Sequence, residues 1–232
     1  MRGGLYKLLV AVCLLTAFFT WTPTAVADTV TFVGGYGPYQ TGRGGEFTLS
    51  PGGFSVSGYA TGMTGGIVQA GTFQSFCLEM TEYISANTTY DVVFSNRAIN
   101  GGVGTSGDLI SIGTAYLYSQ FARGILTEYD YTNPGRSGAA DSSAALLQNA
   151  IWWLEGEGGS ENAFTALVAT MFTDPTADAN GAYGVGVLNL YTLAGARAQD
   201  QLVLVAVPEP ASILGLGTFL LLIGTRLRRK RA

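Results

Sequence analysis

Ser142-Ser143-Ala144-Ala145-Leu146-Leu147-Gln148-Asn149-Ala150-Ile151-Trp152-Trp153-Leu154-Glu155 is the stretch whose reading decides the fold. Leu147, Ile151 and Leu154 recur at helical spacing and form an apolar stripe, and Asp141 or Ser142 supplies the N-terminal cap. A helix is therefore expected here, in a chain whose flanks read as strands. Two more helices are expected beside it. Residues 108–123 place Leu109, Ile112, Ala115 or Tyr116, and Ser119 one turn apart, and Gly124 stops them. The other starts at Ser160 and ends before Pro175, which cannot continue a helix. A loop over 127–138 separates the first two.

Outward from this helical middle the pattern changes. Residues 29–33, 46–50 and 54–59 alternate, with glycine pairs at Gly34-Gly35, Gly44-Gly45, Gly52-Gly53 and Gly65-Gly66 between them. Residues 71–79, which carry Cys77, and 89–95 read as further strands. After the helices, 183–191 and 201–207 read as a hairpin around Ala194-Gly195. Strands, then helices, then strands imply an α+β domain: a glycine-rich β-sheet or sandwich with an inserted helical section.

The two ends are of another kind. Arg2 and Lys7 precede an apolar run over 8–19, and Ala25-Val26-Ala27 has the form of a cleavage site. Residues 1–27 thus read as a secretory signal peptide. Cys13 follows bulky Val12, which argues against a lipid-modified cysteine. At the other end Pro208-Glu209-Pro210 precedes an apolar run over 211–225 and a basic tail with Arg226, Arg228, Arg229, Lys230 and Arg231. The run is short for a spanning helix of about 17–25 residues. Snorkelling arginines and a thinned bilayer allow transient membrane anchoring, with the basic tail on the cytoplasmic side. This order resembles the PEP-CTERM sorting signal of Gram-negative bacteria, in residues 208–232. The resemblance implies processing by an exosortase and export across the inner membrane to the cell envelope, outer surface or extracellular matrix. An ordinary C-terminal anchor that is never cut is the alternative.

Residues 28–207 then form the mature α+β domain, long enough for one core. The chain holds 12 basic and 16 acidic residues, of which seven and one lie in the end segments; five bases and fifteen acids remain, a net charge of −10. A domain this acidic does not seek nucleic acid or anionic lipid. It contains no lysine, and of the chain's 2 cysteines only Cys77 remains after processing. An internal disulfide is thereby excluded, leaving an intermolecular bond, a reactive thiol or a buried one.

Two short segments carry the chemistry: Ser75-Phe76-Cys77-Leu78-Glu79 on a strand, and Leu147-Gln148-Asn149-Ala150-Ile151-Trp152 on a helix. Together they resemble the thioester domains of Gram-positive surface adhesins, which pair an aromatic-Cys strand motif with a Gln-x-Ala-Ile-Trp helix motif. The resemblance implies that Cys77 and Gln148 form an internal thioester with loss of ammonia. It also implies that Trp152, one turn after Gln148, shields that bond with Phe76. The implied partner is an exopolysaccharide or a surface protein bearing an amine or hydroxyl, joined covalently and without turnover. The plain alternative is a non-covalent structural matrix protein in which Cys77 packs as a small hydrophobe and the tryptophans are core.

Other chemistries find little footing. The chain has no histidine, which removes a Ser-His-Asp triad and any histidine-bound zinc. Glu79, Glu82, Glu155 and Glu157 could supply the carboxylate pair of a carbohydrate-active enzyme, although nothing fixes their separation. Residues 174–181 alternate oxygen-bearing side chains but lack the order of a calcium loop, and read as a helix-ending turn. No cofactor and no metal ligand set is expected.

Overall fold

The structure, a computed structural model, describes residues 28–35, 44–54, 56, 71–99, 107–131 and 142–204. The expected signal peptide (1–27) and sorting segment (208–232) lie outside the described residues. Among the described residues no helix is long and apolar enough to cross a membrane.

In chain order the elements are β1 (Thr29–Gly35), β2 (Phe47–Gly52), β3 (Phe73–Ser75), β4 (Thr88–Ser95), β5 (Arg97–Ala98), β6 (Asp108–Leu109), α1 (Ile112–Ala122), α2 (Ser143–Leu154), α3 (Ala163–Met171), β7 (Val185–Thr192) and β8 (Arg197–Leu204). The fold is α+β, and the three α-helices among the described residues all lie between β6 and β7. Six strands form one antiparallel sheet in the order β3-β2-β1-β4-β7-β8, and β5 pairs with β6 beside it.

The sheet is a single curled layer. Past Ser75 the chain leaves β2 and runs against β8. Leu202 N–H donates to the Phe76 carbonyl at 3.1 Å, Leu78 N–H donates to the Asp200 carbonyl at 3.1 Å, and Cys77 bridges Gln201. The two edges of the sheet thus meet at residues 76–78, which covers backbone groups an open edge would expose. This change of partner is also why β3 ends at Ser75, although 71–79 reads as one strand in the sequence.

α1 is the central helix. Eight of its eleven residues are buried, and it packs across β7 and β8. A helix apolar on nearly every side belongs in the interior. It begins at Ile112, not at 108, because Asp108 and Leu109 pair with Ala98 and Arg97 and Ile110 N–H donates to the Asn96 carbonyl. Ser111 then caps it, its side chain accepting from Thr114 N–H at 3.1 Å.

α2 and α3 pack on α1 and on each other. Ser142 caps α2, accepting from Ala145 N–H at 3.2 Å. Asn162 caps α3 through a capping box with Thr165, so α3 occupies the middle of the expected 160–174 span. The helices and sheet share one core: Val30, Leu49, Phe73, Phe76, Leu117, Phe121, Leu147, Ile151, Phe164, Val187 and Leu202 are all 2 % exposed or less. β7 and β8 turn through Gly195 at φ 82°, in the left-handed region that suits glycine. Of the expected strand over 54–59, Phe54 and Val56 belong to no strand, and the other residues lie outside the described ones.

Candidate functional site

The seam of the sheet carries Cys77, and α2 lies over it with Gln148 facing inward. Residues 144, 145, 147, 148, 151, 152 and 154 of α2 are all buried, so the polar Gln148 shares its face with the apolar stripe. A glutamine placed there must find partners or lose stability. It finds them in two glycine- and cysteine-bearing backbone segments. Gln148 Oε1 accepts from Gly45 N–H at 2.9 Å and from Cys77 N–H at 3.3 Å. Gln148 Nε2 donates to the Cys77 carbonyl at 2.9 Å. The Cys77 thiol lies 3.4 Å from the same Oε1. Thiol, carboxamide and two converging N–H donors therefore occupy one point in the core.

The point is dry. Cys77 and Gln148 are 0 % exposed and Trp152 is 4 % exposed. Gly44 forms the near wall: a Cβ there would collide with Gln148 Cγ and stand 3.0 Å from both Gln148 Cδ and the Trp152 ring. Gly45 is also tightly packed, since its Cβ would lie 2.9 Å from the Ser75 carbonyl and 3.2 Å from the Phe76 ring. The Gly45–Glu46 peptide bond is cis. Trp152 thus sits with Gly44 around Gln148. Phe76 lies beneath Gly45 and meets Phe121 of α1 edge-on at 4.9 Å.

Electrostatics keep the thiol neutral at rest. Burial raises the Cys77 pKa well above its ordinary value, and the nearby Glu79 raises it further. The Trp152 indole and the N–H groups of Cys77 and Gly45 act the other way. The indole N–H stands beside the sulfur without meeting hydrogen-bond geometry, and it has no other partner among the described residues. All three donors favour negative charge at this point, where low dielectric strengthens their effect.

Glu79 is itself buried, two residues along. Its Oε2 accepts from Asp200 N–H at 2.8 Å. The Asp200 carboxylate accepts from Ile99 N–H at 2.8 Å, Asn189 Nδ2 at 2.7 Å and Leu190 N–H at 3.2 Å. Burial, with Asp200 next, pushes Glu79 up to about 10, and burial raises Asp200 as well. The other carboxylates are dispersed. Glu155 accepts from Ser111 N–H and Oγ at the start of α1, and Glu157 accepts from Met80 N–H at 3.4 Å. Among the described residues no group of three or more His, Cys, Asp or Glu side chains could hold a metal ion. Pro208, Glu209, Pro210 and the basic tail lie outside the described residues.

Comparison with protein-family models, with curated proteins and with solved structures finds no match. The site therefore rests on its own geometry. Sequence reasoning reaches Cys77, Gln148 and Trp152 but misses Gly44, Gly45 and the buried Glu46 that follows them. Its available signal was the Gly44-Gly45 pair, which reads only as a turn; a backbone donor has no side chain to announce it.

Proposed function

We propose that this is an exported, exosortase-sorted surface or extracellular-matrix protein that joins itself covalently to a partner through a Cys77–Gln148 thioester. The observation that carries the reading is the set of contacts at Gln148 Oε1, which accepts from two backbone N–H groups with Cys77 Sγ 3.4 Å away. Donors so placed polarise the carboxamide and stabilise the oxyanion that forms when sulfur adds to carbon. The enclosure keeps the thiol beside the carboxamide, with Sγ 3.4 Å from its oxygen, and so removes much of the entropic cost of bringing the two groups together.

The step balances without outside reagents. The Cys77 sulfur bonds to the Gln148 carboxamide carbon and the carbon–nitrogen bond breaks. The thiol proton leaves with the amide nitrogen as ammonia. An incoming amine or hydroxyl later attacks the same carbon, the carbon–sulfur bond breaks, and the nucleophile's proton passes to the sulfur. The partner ends joined by an amide or ester, and each molecule reacts once. The end segments, which read as a signal peptide and a sorting signal, support export, and an exopolysaccharide or a neighbouring surface protein is the proposed source of that nucleophile.

A competing reading treats Cys77 as an inert core residue of a non-covalent matrix protein. The complete burial of the thiol and its raised pKa favour that reading. Intact mass decides between them. The freshly purified domain is expected to weigh one ammonia less than its sequence, and Cys77→Ala and Gln148→Ala each to restore the full mass. A folded wild-type domain of full mass would overturn the thioester.

A further inference from the structure

The Gly44-Gly45 segment poses a positioning problem. Gly45 supplies the shorter of the two backbone bonds to Gln148 Oε1, yet two adjacent glycines give the loosest backbone a chain can offer. A donor that must aim at one oxygen needs a fixed neighbour. The first side chain able to fix it is that of Glu46, the residue before β2.

Glu46 is 1 % exposed. Its Oε2 accepts from Tyr129 Oη at 2.6 Å, across 83 positions of sequence. Its Oε1 has no partner among the described residues. A buried carboxyl with an unpartnered oxygen is a costly choice where an apolar side chain would pack, and the fold keeps it directly beside the donor. Tyr129 is well anchored. Its ring centroid lies 4.9 Å from Phe121, 4.8 Å from Tyr131 and 6.4 Å from Phe164, a cluster that ties it to α1 and α3. The tyrosines Tyr118 and Tyr131 also face Glu46 closely enough to feel its charge.

We infer that Glu46, held by Tyr129, is a positioning residue that aims the Gly45 N–H at the Gln148 carbonyl oxygen and thereby sets how fast the Cys77–Gln148 bond forms and how fast a nucleophile opens it. The rate part of this inference rests on the thioester reading; the aiming part does not. The chemical step is the one given above, and Glu46 neither gains nor loses a proton in it.

Two measurements test the inference on the domain. The first follows ammonia loss by intact mass after refolding, and then capture of methylamine by the formed bond. Tyr129→Phe and Glu46→Leu are expected to slow both by roughly tenfold or more, less than the roughly 100- to 1000-fold cost of losing an oxyanion donor outright, because the donor is misaimed and not removed. Glu46→Gln keeps an oxygen for Tyr129 and is expected to stay near the wild-type rate, a rescue that general loss of packing would not give. Should Glu46→Leu not fold, Tyr129→Phe and Glu46→Gln carry the comparison. The second measures hydrogen exchange of the Gly45 amide in Cys77→Ala, where no bond forms. Adding Tyr129→Phe is expected to speed that exchange at least tenfold. Wild-type rates in Tyr129→Phe, or unchanged Gly45 exchange, overturn the inference. If wild type never loses ammonia but Gly45 exchange responds, the aiming stands and the thioester reading alone has failed.

Discussion

Glu46→Gln, made in a Cys77→Ala background so that bond formation does not enter, is expected to change how stability depends on pH. Burial pushes the Glu46 carboxyl up to about 8 from its ordinary 4.5, against the opposing hydrogen bond from Tyr129. The unfolded chain releases this proton near pH 4.5 and the folded protein only near pH 8. Between those values the unfolded state binds fewer protons, so stability falls as pH rises, by about 1.4 kcal/mol per pH unit. From the lower value to pH 7 the loss is about 3 kcal/mol, and it levels off above the folded value. Glutamine has no proton to release. Its unpartnered amide nitrogen costs about 1–3 kcal/mol, but equally at every pH. The informative quantity is thus the difference between the two stability curves, not either value alone. Glu79, Asp200 and Glu155 are also raised by burial; they tilt both curves alike and cancel. Urea unfolding across this range should show the variant gaining on its parent by about 3 kcal/mol between acid and neutral pH. Parallel curves would show that Glu46 ionises in the fold as it does in water, and the account of its burial would be wrong.

Two further outcomes follow from the site and the end segments. Gly44→Ala places a methyl against Gln148 Cγ and the Trp152 ring, so it is expected to destabilise the domain by about 1–3 kcal/mol in urea unfolding. It should also leave a fraction of the protein at full mass; unchanged stability with complete ammonia loss would remove Gly44 from the wall. Replacing Pro208-Glu209-Pro210 is expected to leave the C-terminus unprocessed and the protein in the membrane fraction, and normal processing without an exosortase would refute the sorting reading.

The helices and the α+β class were legible because they depend on local signals. Ser142 precedes an apolar stripe, and the chain folds there as that pattern requires. What escaped depends on distant partners. Asp108 and Leu109 fit a helical spacing, but pairing with Arg97 and Ala98 holds them extended. Residues 76–78 look like a continuation of β3, yet Phe76 and Leu78 bond to β8, more than a hundred positions on, and the Cys77 backbone bonds to Gln148. Within the site, Cys77 and Gln148 belong to recognisable motifs. The Gly45 N–H, the Glu46–Tyr129 contact and the Glu79–Asp200 pair are built from backbone groups and long-range packing, which no local pattern encodes.

The seam at residues 76–78 also has a mechanical meaning. β8 is the last described strand, and it is bonded on one flank to β7 and on the other to the segment bearing Cys77. Ladder hydrogen bonds lie perpendicular to the strand. Tension pulling along β8 therefore loads both flanks in shear, with many bonds strained together instead of opening one after another. Cys77 lies within that doubly bonded seam, so a pull along β8 meets both sets of bonds before it can part the residues that hold Cys77 in place.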